Sequence, residues 1–137
     1  MIAEEGWVLL TGGRDAGVMA AASQGAKSAQ GLTIGILPTA DSTQISAAID
    51  LPILTGLGSA RNWINVLSSQ GIIACGMGAG TASEVALALK AGRRVVLLNS
   101  SPESKNFFQQ LAPEKVEIAD TPEDAIRIVK TDLNLQR

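Results

Sequence analysis

Two short stretches of this chain carry the residue types that a bound anion needs. The first is Thr11-Gly12-Gly13-Arg14-Asp15-Ala16-Gly17 and the second is Gly76-Met77-Gly78-Ala79-Gly80-Thr81. Each follows a short apolar run and precedes a segment with helical spacing. A helix N-terminus offers backbone N–H groups and a partial positive charge, and glycine lets a phosphate approach the main chain. Neither stretch is a Walker loop, because no Gly-Lys-Ser/Thr follows. The second matches a dinucleotide fingerprint only loosely, since the next strand ends in Asn99 where an acidic residue is required. One such turn is ordinarily just a turn. Two of them on strands of one parallel sheet point to an anion site at these turns.

Charged side chains near these turns have two readings each. Arg61 falls in the first turn of an expected helix, where the helix dipole disfavours a cation. It is either a solvated surface group or a cation placed there for an anionic partner, and Arg14 has the same two readings. Thr81-Ala82-Ser83-Glu84 has the spacing of a capping box. From pattern alone, Glu84 bonds back to the helix start; its second use is as a carboxylate beside a bound phosphosugar. Cys75 ends an apolar run and reads as a small core residue. Asp15, Asp41 and Asp50 lack ligand spacing, so no metal site is expected. The chain has no histidine, which excludes a Ser-His-Asp triad, a Cys-His dyad and any histidine metal site.

The elements that must position these residues follow from apolar runs and breakers. Trp7–Thr11, Leu32–Leu37, Gly71–Cys75 and Arg93–Leu98 are short continuous apolar runs, the pattern of buried strands. Val116–Ile118 reads as a last short strand, and Pro52-Ile53-Leu54 as an edge strand or extended loop. Helices are expected from Ala16 to about Gln30 with Asp15 as cap and Val18, Met19, Ala22, Ala26 and Ala29 on one face. Others run from Ser59 to about Ser69, Thr81 to Ala91, Glu103 to Leu111, and Pro122 to about Lys130 with Thr121 as cap. A polar loop covers Thr39 to Asp50, and the tail after Thr131 reads as loose. The alternation predicts an α/β fold, a parallel sheet with helices on both faces, as a single domain over 1–137.

Composition narrows the partners. The chain has 137 residues, one cysteine, no tyrosine, and a net charge of −2 from 11 basic and 13 acidic residues. It has neither a basic field nor aromatic platforms for nucleic acid. No apolar run reaches the ~18 residues of a membrane span, and the N-terminus lacks the pattern of a signal peptide. A lone thiol suits a reducing compartment, so a cytoplasmic location is expected.

Taken in order, Gly12 to Met19, Ile36-Leu37-Pro38, Arg61, and Gly78-Ala79-Gly80-Thr81-Ala82-Ser83-Glu84 resemble the lysine-decarboxylase-like, or "Lonely Guy"-like, Rossmann superfamily over nearly the whole chain. Enzymes of that superfamily cleave the N-glycosidic bond of nucleoside 5′-monophosphates. The resemblance would give Arg61 and Glu84 to catalysis and Gly78, Gly80 and Thr81 to the phosphate turn. This chain has Gly76-Met77-Gly78 for the enzymes' Pro-Gly-Gly and Arg61-Asn62 for their Arg-Lys, which argues against hydrolysis. Leu51 to Asn62 and Gly80 to Gly92 are instead similar to the branch of molybdenum cofactor carriers. That similarity implies a protein that binds, protects and delivers the molybdenum cofactor, a phosphorylated pterin carrying molybdate, without transforming it. The ligand would rest on Gly12, Gly13, Arg14, Arg61, Gly78, Ala79, Gly80, Thr81 and Glu84. It further implies a homo-oligomer, tetramer over dimer, and hand-over to molybdoenzymes or cofactor-insertion proteins. A nucleotide phosphoribohydrolase is the alternative, and a nucleotide sensor a third. Relatives carry one more strand and helix before Trp7, so the fold is expected without that first β-α unit, Met1–Gly6 reading as the helix's last turn.

Overall fold

The computed structural model describes residues 1–135. The chain divides into two compact units, Met1–Asn65 and the residues from Val66 onward. Each holds a three-stranded parallel sheet, so the expected α/β character is present and its strands are shared between two sheets.

In the first unit, β1 (Leu9–Thr11), β2 (Thr33–Leu37) and β3 (Leu51–Leu54) lie in that order. Leu9 faces Thr33 and Ile34 faces Leu51. The central β2 buries Thr33, Gly35, Ile36 and Leu37, whereas all four residues of β3 are exposed. Pro52-Ile53-Leu54 is thus part of an edge strand, where a residue without an N–H is tolerated. No helix joins β2 to β3. The link is tied down by Asp50, whose Oδ2 accepts from the Thr33 backbone N–H and hydroxyl at 3.0 Å each, and whose Oδ1 pairs with Lys27 of the preceding helix.

That helix, α1 (Gly17–Ser28), starts later than expected and without a side-chain cap. Asp15 is not its cap, because the N-cap position falls on Ala16. Arg14 forms an antiparallel bridge with Ile45, and the Asp15 N–H donates to Gln44 O at 2.8 Å. Its buried face is Ser23 and Ala26, while Val18 is 55% exposed. The 3-10 turn Ala3–Glu5 ends at Gly6 with φ 74°.

In the second unit, β4 (Ile73–Cys75), β5 (Val95–Leu98) and β6 (Val116–Ala119) lie in order. A helix α2 (Arg61–Ser68) leads in from the first unit, and α3 (Ala79–Lys90), α4 (Pro102–Leu111) and α5 (Pro122–Leu135) follow β4, β5 and β6. The core is aliphatic apart from Phe108: Val66, Ala74, Val85, Ala88, Val95, Leu97 and Val116. Ser101 caps α4 through the Ser104 N–H at 3.2 Å, and Thr121 accepts from the Asp124 N–H at 3.1 Å at the start of α5. α5 does not fray after Thr131 but continues to Leu135. Arg94, beside β5, pairs with Asp132 and fastens that last stretch. Residues 136 and 137 of the tail lie outside the described residues.

Candidate functional site

The first glycine turn leaves the carboxyl end of β1, where ligands bind in open parallel sheets. Gly12 and Gly13 are in contact with the protein itself, whereas nothing lies within 4 Å of a Cβ placed at Gly17. Gly13 has φ +74°, a left-handed conformation that disfavours a side chain, and a Cβ there would lie 2.9 Å from Gly35 Cα. The turn is therefore pressed backbone to backbone against β2. The Thr11 hydroxyl accepts from the Gly13 N–H at 3.0 Å, and Gly13 O accepts from the Ser46 N–H at 3.0 Å. Arg14 is exposed, and its guanidinium donates to Gln44 Oε1 at 2.9 Å.

Gly12 is buried beside the head of Arg61. A Cβ at Gly12 would fall 2.6 Å from Arg61 Cζ, with both terminal nitrogens nearby. Arg61 is half-buried at the first position of α2. The preceding Gly58–Ala60 segment is a 3-10 turn rather than the start of the helix, so Ser59 is not its cap. This approach is set by loops after β2 and β3: Leu37 O accepts from Thr55 N at 3.3 Å and Thr55 Oγ1 at 2.6 Å, and Pro38 O accepts from Gly58 N at 2.9 Å. Sequence reasoning placed Gly12 and Arg61 in one site, and the structure brings them into direct contact.

The second turn is built differently. Gly76 has φ +68° and leaves β4; Gly78, in extended backbone, is the N-cap of α3. Nothing lies within 4 Å of a Cβ placed at Gly76, Gly78 or Gly80. Gly78, Ala79 and Gly80 are exposed and Thr81 is half-buried. The N-cap residue, a glycine, makes no side-chain bond to the first N–H groups of this helix. Met77 does not crowd the turn; it packs on the core.

One expectation is corrected here. Thr81 and Glu84 are not a capping box, because α3 begins at Ala79 and Thr81 is already inside it. Gly78 takes the N-cap position, and Glu84 lies a full turn further on, half-buried. Beside the turn, burial pushes the Cys75 thiol pKa above its ordinary value. Among the described residues no three His, Cys, Asp or Glu side chains group to hold a metal. No described helix is long and apolar enough to cross a membrane.

Comparison with known proteins gives these clusters a context. A solved molybdenum cofactor binding protein from Rippkaea orientalis is 57% identical, covering 96% of this chain and 81% of its own, with a TM-score of 0.94. The molybdenum cofactor carrier protein of Chlamydomonas reinhardtii is 53% identical over 97% of this chain and 81% of its own, with a TM-score of 0.91. An uncharacterized protein of Archaeoglobus fulgidus is 42% identical over 126 residues, 92% of this chain and 76% of that protein. The fold is Rossmann-like, in keeping with these neighbours. With its match to the family over residues 1–126, the chain belongs to the SLOG cluster4 family.

Proposed function

We propose that this protein binds the molybdenum cofactor as cargo and carries it intact to a recipient. The observation that supports this most is the likeness, over nearly the whole chain, to proteins that bind and carry that cofactor. The second glycine turn fits the cargo's phosphate on its own chemistry. Gly78, Ala79, Gly80 and Thr81 place amides at a helix start, with the space a side chain would fill left open at Gly78 and Gly80. Thr81 adds a hydroxyl. Arg61 and Arg14 supply charge for phosphate or oxo groups, and Glu84, half-buried on α3, hydrogen-bonds the pterin. Residues 1–137 act as one carrier domain in a reducing, cytoplasmic setting. The working form is a homo-oligomer, tetramer over dimer. Its exposed apolar residues include Leu51, Ile53, Leu54, Leu57 and Trp63, and the recipients are molybdoenzymes or cofactor-insertion proteins.

The test is a thermal-shift titration with purified cofactor and, in parallel, AMP. Binding to the native state raises stability by about 2.7 kcal/mol at a hundredfold excess over Kd. Stabilisation by cofactor with AMP left intact is expected; no shift at saturating cofactor would sink the carrier reading. One observation favours a second reading. Glu84 lies half-buried on α3, away from its N-cap, where a carboxylate would steady a ribosyl oxocarbenium ion. Release of base from AMP, lost in Glu84→Ala, would establish a phosphoribohydrolase instead.

A further inference from the structure

We propose that Gly12 is a positioning residue for Arg61 rather than a ligand-contacting residue. The proposal deepens the carrier reading, resting on it only for the statement that Arg61 meets an anion. Gly12 does not have the positive φ that makes Gly13 a glycine. Its backbone could be built with any residue. What position 12 lacks room for is a side chain, because Cζ and both terminal nitrogens of Arg61 stand where the Cβ would be. The obstruction is the head of a charged group that is itself half-buried, so moving it means moving the charge.

The arrangement solves a placement problem. A cation at the first position of a helix is opposed by the helix dipole, and a long arginine left to itself extends toward water. Here the guanidinium is instead brought to the end of β1. The vacancy at Gly12 is the slot that receives it. A methyl at position 12 closes the slot and expels the guanidinium, leaving in place the Gly13 N–H bond to the Thr11 hydroxyl and the Ser46 N–H bond to Gly13 O.

The experiment uses Gly12→Ala, Arg61→Ala and the double variant, with inorganic phosphate as the probe. In ligand-free protein, the Arg61 side-chain N–H resonance, assigned by its loss in Arg61→Lys, reads position directly. Gly12→Ala should move it to the range of exposed arginines. Phosphate affinity should fall roughly tenfold or more, the effect of losing one charged hydrogen-bond donor. It should fall by the same factor in Arg61→Ala, with no further loss in the double variant. Should Gly12→Ala fold poorly, Arg61→Ala added to it should restore the melting temperature, because it removes the clashing group. An Arg61 resonance unmoved in Gly12→Ala overturns the proposal. So does a Gly12→Ala loss of phosphate affinity as large in the Arg61→Ala background as in the parent. A moved resonance with phosphate binding unchanged in all variants supports positioning and counts against the anion role of Arg61.

Discussion

The two glycine turns look alike on paper and are used in opposite ways. In the first, the space left by missing side chains at the strand end is taken up by the protein itself, the Arg61 head at Gly12 and the β2 backbone at Gly13, and only Gly17, at the start of α1, is open. In the second, the corresponding space at Gly76, Gly78 and Gly80 is open. A glycine can therefore serve packing or a guest, and only its surroundings say which. The first turn is packed as scaffold at Gly12 and Gly13; the second leaves its glycines open.

The comparison breaks most readily at Gly13. Gly13→Ala must hold a left-handed conformation, costing ~1–2 kcal/mol, and force the turn off Gly35, costing ~1–3 kcal/mol. A loss of about 3 kcal/mol in urea denaturation is expected; a near-neutral result would show that the two turns are equally open. At the other turn, Gly80→Ala should leave the ligand-free protein unchanged or up to ~1 kcal/mol more stable, since alanine is the better helix former. Cofactor affinity should nevertheless fall, because the methyl enters the open space. Unchanged affinity would remove this turn from the site.

A smaller effect is expected at Arg14. Its contact with Gln44 is exposed, so Arg14→Ala should change stability by no more than ~0.5 kcal/mol. Cofactor affinity should nevertheless fall in that variant, because Arg14 supplies charge for the phosphate or oxo groups; unchanged affinity would remove the first turn from the binding surface. The smallest effect concerns Cys75. Burial disfavours its thiolate, so iodoacetamide should alkylate it more slowly in the native than in the unfolded chain at neutral pH. The folded thiol keeps its proton at a pH where the unfolded one has lost it. The linked stability is therefore present below the unfolded pKa and lost as pH rises through the folded one. Native and unfolded rates that coincide would mean the end of β4 is open to water.

Much of this was legible in the sequence. The runs WVLLT, LTIGIL, GIIAC and RRVVLLN became β1, β2, β4 and β5 with their ends trimmed, and the family resemblance holds. What stayed hidden needed distant partners. The chemistry of Thr-x-x-Glu suits a cap, but a cap exists only where the helix begins, and α3 starts at Ala79 despite the weak propensity of Gly80. Asp15 has a good cap's chemistry, yet the helix begins at Gly17 and its N-cap position falls on Ala16. Asp50, weighed as a metal ligand only in combination, holds Thr33 and Lys27 instead. No local pattern announces that Gly12 and Arg61 touch.

The edge strand β3 carries one last consequence. Leu51, Ile53 and Leu54 are a short, uncharged, β-prone run that is 44–50% exposed, the kind of surface that recruits strands from other molecules into fibrils. Pro52 sits in its middle and contributes no N–H. The strand can hold its place beside β2 while offering an incomplete template to a stranger, so this single ring helps keep a greasy margin from seeding aggregation.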